Sequence, residues 1–455
     1  MKCVIVFCIS FSIFCNNYAF CCYFPKNEPT CNNTDIGEPL FLTPYIEAGK
    51  VQEGQAAARV LLPCTNITSY SGYLTVNKTF NSNLFFWFFP SEADPYNASV
   101  ILWLQGGPGS SSMSGIFTEN GPFYIDIKGL LNKRQYYWSQ LFNVIYIDNP
   151  IGTGFSFTED DVEYATEQVK IGKDLYSALM QFFKLFPHLQ KNDFFLSGES
   201  YAGKYVPAVG FAIHTNNKIN IQRINLKGLA IASGFSDPEN MMGYADHVYQ
   251  IGLVDSKTRE IVRKQQDLLV NHIRKKDFLK ATQDYFHLLY TLHLHIGNQF
   301  NLHNYLKTQT KRHNLWDIYI QTDVIRRSIH VGNRSLNEGD KVSDILEEDY
   351  LKSVKPWVEV LLDNYRVMFF SGQLDVIVAY PLTLNFLKKL SWSGAELYKT
   401  ASRKSWMVDG ELAGFVKSAK GFTEVLVRNA GHSIPMDQPK WTLDLINRFV
   451  NNVPF

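Results

Sequence analysis

The sequence predicts an α/β fold in which a mostly parallel central sheet is covered by helices and interrupted by one helical insertion. Short apolar runs rich in β-formers recur at SVILWLQ (99–105), FNVIYID (142–148), DFFLSG (193–198), LKGLAIASG (226–234), RVMFFSG (366–372) and EVLVRNAG (424–431). They are near-continuous rather than alternating, the pattern of strands buried on both faces. Between the second and third runs lies EYATEQVKIGKDLYSALMQFFKLFP. Its Leu175, Leu179, Phe182, Phe183 and Phe186 form the i, i+4, i+7, i+8, i+11 stripe of a helix lying on a sheet.

Taken in order, the chain opens with MKCVIVFCISFSIFCNNYAF, where Lys2 precedes an apolar run ending near Phe14. The run is too short for a bilayer span and reads as a secretory signal over residues 1–20, cut near Ala19; an uncleaved anchor is the alternative. Residues 21–63 form an N-terminal segment that could act as a propeptide, and the first part of the α/β core follows over 64–240. Residues 241–355 then read as amphipathic helices without strands, as in HVYQIGLVDSKTREIVRKQQDLLVNHIRKKDFLKATQDYFHLLYTLHLHI. A cap inserted there would overhang the carboxyl ends of the strands, where open α/β sheets bind ligands. The second part of the core occupies 356–455.

At 455 residues, 45% apolar and 19% charged, the chain can build a substantial core. Its net charge of +1 supplies no basic field for nucleic acid. No later apolar run reaches the roughly 20 residues of a membrane helix. All seven cysteines lie at or before Cys64, three of them in the signal; Cys31 and Cys64 could bridge after secretion, but spacing assigns no pairing. Glycosylation sequons begin at Asn32, Asn66, Asn77, Asn97 and Asn333, in keeping with a secretory route. His287, His293, His295 and His303 come without an H-E-x-x-H or C-x-x-C pattern, so they read as surface or cap packing; no metal and no cofactor is expected.

The chemistry centres on FFLSGESYAGKYVPAVG (194–210). An apolar run stops at Gly198, and small and apolar residues at helical spacing resume after Ser200. That is a G-x-S-x-G turn from strand to helix, which lifts a serine hydroxyl above the sheet. A serine nucleophile needs a base and an orienting carboxylate, each placed after a later strand. Asp375 ends MFFSGQLD and His432 sits in LVRNAGHSIPMDQP, in the order serine, aspartate, histidine. Taken singly, a turn aspartate or a loop histidine is the plainer reading. The three together point to a triad. WLQGGPGSSS (103–112) also follows a strand and offers a glycine-rich oxyanion loop, with Gly107 as one donor and the backbone N–H of Tyr201 as the other.

WLQGGPGSSS, GESYAGKYVP, SGQLD and AGHSIPMDQP together resemble the motif blocks of the serine carboxypeptidases. PLFLTPYIEAGKVQEG, GYLTVNKTFNSNLFFWFFP, IDNPIGTGFSF and DLYSALMQFF are similar to the vitellogenic-like branch. The resemblance implies an α/β-hydrolase fold with a helical cap, peptide or protein C-termini as substrates and an acidic compartment, lysosomal or secreted. It maps a catalytic triad onto Ser200, Asp375 and His432, oxyanion donors onto Gly107 and Tyr201, and a substrate-carboxylate network onto Trp103, Gln105, Glu119 and Glu199. Gln105 stands where the family commonly has Asn, and Ser111 where members often have Cys.

Glu199 beside the nucleophile is then expected to work protonated. Two carboxyls at close range raise each other's pKa, and below about pH 6 both could donate to a peptide's terminal carboxylate. Two other functions compete: acyl transfer or ester hydrolysis on the same scaffold, and a secreted binding protein with vestigial machinery. Product analysis separates the first, labelling of Ser200 by an organophosphonate the second. A homodimer stays open.

Overall fold

The computed structural model describes residues 35–63, 65–297, 299–308 and 315–455. The expected signal, Asn32, Cys31 and Cys64 lie outside the described residues. Thirteen strands form among those described. They are β1 (Arg59–Val60), β2 (Ser69–Asn77), β3 (Ser82–Phe89), β4 (Val100–Leu104), β5 (Phe123–Ile125), β6 (Leu131–Lys133) and β7 (Asn143–Ile147). They continue as β8 (Phe194–Glu199), β9 (Leu226–Ala232), β10 (Arg366–Gly372), β11 (Lys404–Val408), β12 (Glu411–Ala419) and β13 (Phe422–Val427).

Eleven of them make one sheet in the order β1-β2-β3-β7-β4-β8-β9-β10-β13-β12-β11, while β5 and β6 pair separately. The six expected strands are its centre, β7 through β13 in that order, all parallel to one another. The flanking strands run antiparallel, so the sheet is mixed rather than parallel throughout. Connection length explains the pairs that are joined directly in sequence. A parallel return needs a crossover of a dozen residues or so, whereas a hairpin needs about two. β11 joins β12 through Asp409-Gly410, and β12 joins β13 through Lys420-Gly421, with φ positive at all four residues. Such pairs match the twist of a hairpin.

Alternation along each strand builds a core on both faces. Phe86 and Phe88 of β3 meet Phe182 at ring-centroid distances of 5.8 and 5.1 Å, on the helix Gln168–Leu185. Leu175, Leu179, Phe182 and Phe183 of the expected stripe are buried on that helix, and Phe186 is buried just beyond its end. Trp87 and Phe89 point the other way and stack at 5.3 Å. That face is also closed by the helix Pro439–Asn451, whose Phe449 meets Phe195 of β8 at 5.9 Å.

Between β9 and β10 the chain forms helices at Tyr244–Gln250, Ser256–Arg274, Phe278–Ile296, Leu315–Ile320, Asp323–Ser328, Asp340–Ile345 and Lys355–Leu362. None of the described helices is long and apolar enough to cross a membrane. Part of the N-terminal segment belongs to the packed body. Leu42 is fully buried, its N–H bonds the Tyr73 carbonyl, and the Tyr73 N–H bonds that of Leu40.

Candidate active site

β8 ends at Glu199 and the helix Ala202–Asn216 begins three residues later, leaving Ser200 at the corner with φ of 64°. A non-glycine residue rarely takes that conformation, and such strain is typical of a nucleophile held clear of its sheet. The glycines make the corner passable. A Cβ on Gly198 would lie 2.6 Å from the Leu104 carbonyl oxygen, and one on Gly203 2.5 Å from the Phe235 nitrogen. Both obstacles are backbone and cannot swing aside. Gly203→Ala is therefore expected to cost about 3 kcal/mol or more, the upper range for overpacking a well-packed core. Thermal unfolding reads it, and an unchanged midpoint would mean that the helix shifts freely.

The carboxyl ends of β10 and β13 bring Asp375 and His432 together. Asp375 Oδ2 lies 2.7 Å from His432 Nδ1, and both side chains are buried. Asp375 Oδ1 accepts from the N–H groups of Ile377 at 2.9 Å and Val378 at 3.1 Å, which fixes the carboxylate plane. Ser200, Tyr201, Gly107 and His432 line one cavity of about 260 Å³. Among the described residues, no hydrogen bond within the protein uses the N–H of Gly107 or of Tyr201. Both donors are free for a ligand. The loop that carries Gly107 is braced by Asp148, which accepts from Ser111 Oγ at 2.6 Å and from the Ser112 and Phe155 N–H groups; burial pushes this carboxyl up to about 6. The serine at 111 thus serves as a donor.

The four residues mapped to carboxylate recognition form one hydrogen-bonded chain. Trp103 Nε1 donates to Gln105 Oε1 at 3.1 Å, and Gln105 Nε2 donates to Glu119 Oε1 at 3.0 Å and to Glu199 Oε1 at 3.4 Å. The two carboxyl groups act on each other's ionisation, and Oε2 of each meets no protein donor among the described residues. Burial holds Glu119 above the ordinary carboxyl range; burial and then the Glu119 charge push Glu199 well above it. Two carboxyls so placed resist losing both protons.

Several cavity residues were not anticipated. Ser433 Oγ donates to Glu199 Oε1 at 3.0 Å; it sits inside the AGHSIPMDQP block, directly after the histidine. His303, read with the other cap histidines as packing, presents its ring edge-on to His432 at 5.1 Å, and its carbonyl accepts the His432 N–H at 2.6 Å. Phe235, Tyr285 and Tyr350 form an aromatic wall of the cavity, with Tyr285 stacked on Phe235 at 5.6 Å. His287, His293 and His295 lie on the helix Phe278–Ile296 outside this cavity.

The sequence profile described as "Serine carboxypeptidase" matches residues 62–452. The chain belongs to the serine carboxypeptidase family. Relatives at high identity span nearly the whole chain. The venom serine carboxypeptidase of Apis mellifera is 48% identical over 442 residues, covering 95% of both chains. A probable serine carboxypeptidase of Homo sapiens is 45% identical, covering 91% of this chain and 90% of its own. The vitellogenic carboxypeptidase of Aedes aegypti is 42% identical, covering 92% and 91%. In fold, the chain is similar to Kex1, a prohormone-processing carboxypeptidase of Saccharomyces cerevisiae. The TM-score is 0.78 at 23% identity, covering 88% of this chain and 96% of that one.

Proposed function

We propose that the protein is a serine carboxypeptidase that removes single residues from peptide C-termini at acidic pH. The observation that carries this reading is the buried Glu119–Glu199 pair, both carboxyls held above their ordinary range, with Glu199 lining the Ser200 cavity. An esterase or a general endopeptidase has no use for it. A substrate carboxylate has.

In this reading Ser200 Oγ attacks the carbonyl carbon of the last peptide bond while His432 Nε2 takes its proton. Asp375, held on Nδ1, keeps the ring in the tautomer that can accept it and stabilises the imidazolium. The N–H groups of Gly107 and Tyr201 receive the developing oxyanion. His432 then protonates the leaving amine, the C-terminal amino acid departs, and water resolves the acyl-enzyme by the reverse proton path. Trp103, Gln105, Glu119 and Glu199 hold the terminal carboxylate, with the glutamates donating through their retained proton.

The relatives' venom and vitellogenic origins favour a secretory route, lysosomal or secreted, with glycans on the exposed Asn66, Asn97 and Asn333 and the half-buried Asn77. We place the core's first part, the cap and the core's second part at 64–240, 241–355 and 356–455. Because Leu40 and Leu42 are tied to Tyr73, a removable propeptide would end before Leu40.

The test is release of amino acids from a C-terminal peptide library between about pH 4.5 and 7, a span that starts near the ordinary carboxyl range and runs above it. Single-residue release from free acids, and resistance of the same peptides as C-terminal amides, is the expected result. Equal cleavage of amides would overturn carboxylate recognition. Organophosphonate labelling of Ser200 without any residue release would overturn the peptidase reading.

A further inference from the structure

Lys204 lies four residues beyond the nucleophile and is fully buried, as is Asp349 from the returning end of the cap. Lys204 Nζ lies 2.9 Å from Asp349 Oδ2 and also donates to the Asp349 carbonyl. The same carboxylate oxygen accepts from the Tyr201 hydroxyl at 3.0 Å and from Gln168 Nε2 at 2.6 Å. Four segments meet on one carboxylate: the helix Gln168–Leu185, the nucleophile corner, the first turn of the helix that follows it, and the cap. None of these groups touches the triad side chains by hydrogen bond, and the reaction above does not use them.

Burying a lysine is costly, and burial pushes Lys204 down to about 8 despite its partner. A buried pair is weak evidence for stability, because apolar residues of similar volume often do as well or better. What the pair does provide is geometry. Tyr201 contributes the backbone N–H beside the nucleophile and sends its phenol to Asp349; Tyr350, the next residue along the cap, packs its tilted ring against Tyr201 at 5.1 Å and lines the cavity. Displacing Asp349 therefore moves an oxyanion donor and a cavity wall together.

We propose that Lys204 and Asp349 are positioning residues for catalysis: their buried contact locks the cap's return segment to the nucleophile corner, and so sets the Tyr201 N–H and the Tyr350 wall in register with Ser200. The proposal rests on the carboxypeptidase reading for its natural substrate. The cap on this view is wired into the oxyanion site rather than laid over it.

The test compares wild type with Lys204→Met, Asp349→Asn and the charge-free double variant Lys204→Met/Asp349→Leu. Active sites are titrated with an organophosphonate, so that turnover is expressed per reactive serine. The double variant removes both charges at near-constant volume and is expected to fold even where a single variant, left with one uncompensated buried charge, does not. Its kcat per titrated site is expected to fall about 10- to 100-fold with KM within about threefold, since removing a single oxyanion-hole donor costs about 100- to 1,000-fold and here the donor is displaced rather than lost. The phosphonate labelling rate should fall by a similar factor. Wild-type turnover per site in the double variant, whatever its melting temperature, would overturn the proposal, because a purely structural pair changes the folded fraction and not the rate. The labelling rate needs no peptide, so a failure of the carboxypeptidase reading leaves this measurement intact and separately interpretable.

Discussion

Asp375→Asn is expected to lower kcat for peptide release by about 10⁴-fold while leaving the fold and KM nearly unchanged, the loss typical when a triad aspartate becomes an amide. The geometry says why so small a change should do so much. Asp375 Oδ1 accepts two backbone N–H groups, from Ile377 and Val378, while Oδ2 faces His432 Nδ1 at 2.7 Å. An asparagine must keep its oxygen on the two N–H donors, because its NH₂ group cannot accept from them. That turns the NH₂ toward His432 and forces Nδ1 to become an acceptor. The ring proton then sits on Nε2, the nitrogen that has to take the serine proton. The variant is blocked by tautomer, not by displacement. Pre-steady-state kinetics should show acylation slowed and phosphonate labelling of Ser200 slowed with it. A loss of less than about tenfold would mean that His432 finds its orientation elsewhere, for instance from the His303 ring beside it.

The residues that make this prediction possible were legible because each sits at the end of an apolar run. The runs ending at Gly198, Gly372 and Val427 are central strands, and a parallel centre places all their carboxyl ends on one edge. With the strand order β8-β9-β10-β13, Ser200 and His432 line one cavity and Asp375 meets the His432 ring. The flanks were less legible. β3, through LFFWFF, is as apolar as the centre, so composition does not separate an antiparallel flank from a parallel core. The Asp409-Gly410 and Lys420-Gly421 pairs were the local signal that could have done so. Ser433 was visible as a letter in a motif but not as a partner of Glu199, since that contact spans 234 positions. The Lys204–Asp349 contact spans 145 and had no sequence signature beyond a lysine in an apolar helix. Contacts of that range come from how the cap folds back, and periodicity carries no information about them.

Glu199→Gln should move the alkaline limb of activity upward and leave the acid side in place. In the wild type the pair keeps a proton well above the ordinary carboxyl range, chiefly through burial and, for Glu199, the neighbouring Glu119 charge. On the proposed reading, the pair donates to a substrate carboxylate while that proton stays. Once it leaves, two negative carboxylates confront a third. A glutamine has the shape of a protonated glutamate and cannot ionise, and its Oε1 can still accept from Ser433 Oγ as Glu199 does at 3.0 Å. At about pH 7.5, kcat/KM relative to each enzyme's own maximum should therefore be about tenfold higher in the variant, the equivalent of one pKa unit, with the change carried by KM. Stability supplies an independent readout with a definite sign. In the unfolded chain both glutamates deprotonate near their ordinary value of about 4.3, whereas the folded pair holds a proton above it. Folding takes up protons in the interval between, so stability is highest on the acid side and is lost as pH climbs through the raised value. Glutamine removes that loss. The thermal midpoint of Glu199→Gln should exceed the wild type's at neutral pH and converge with it in acid. Coincident pH–activity curves, or a midpoint difference that stays constant with pH, would show that Glu199 is ionised in the resting enzyme and that the acid optimum has another source.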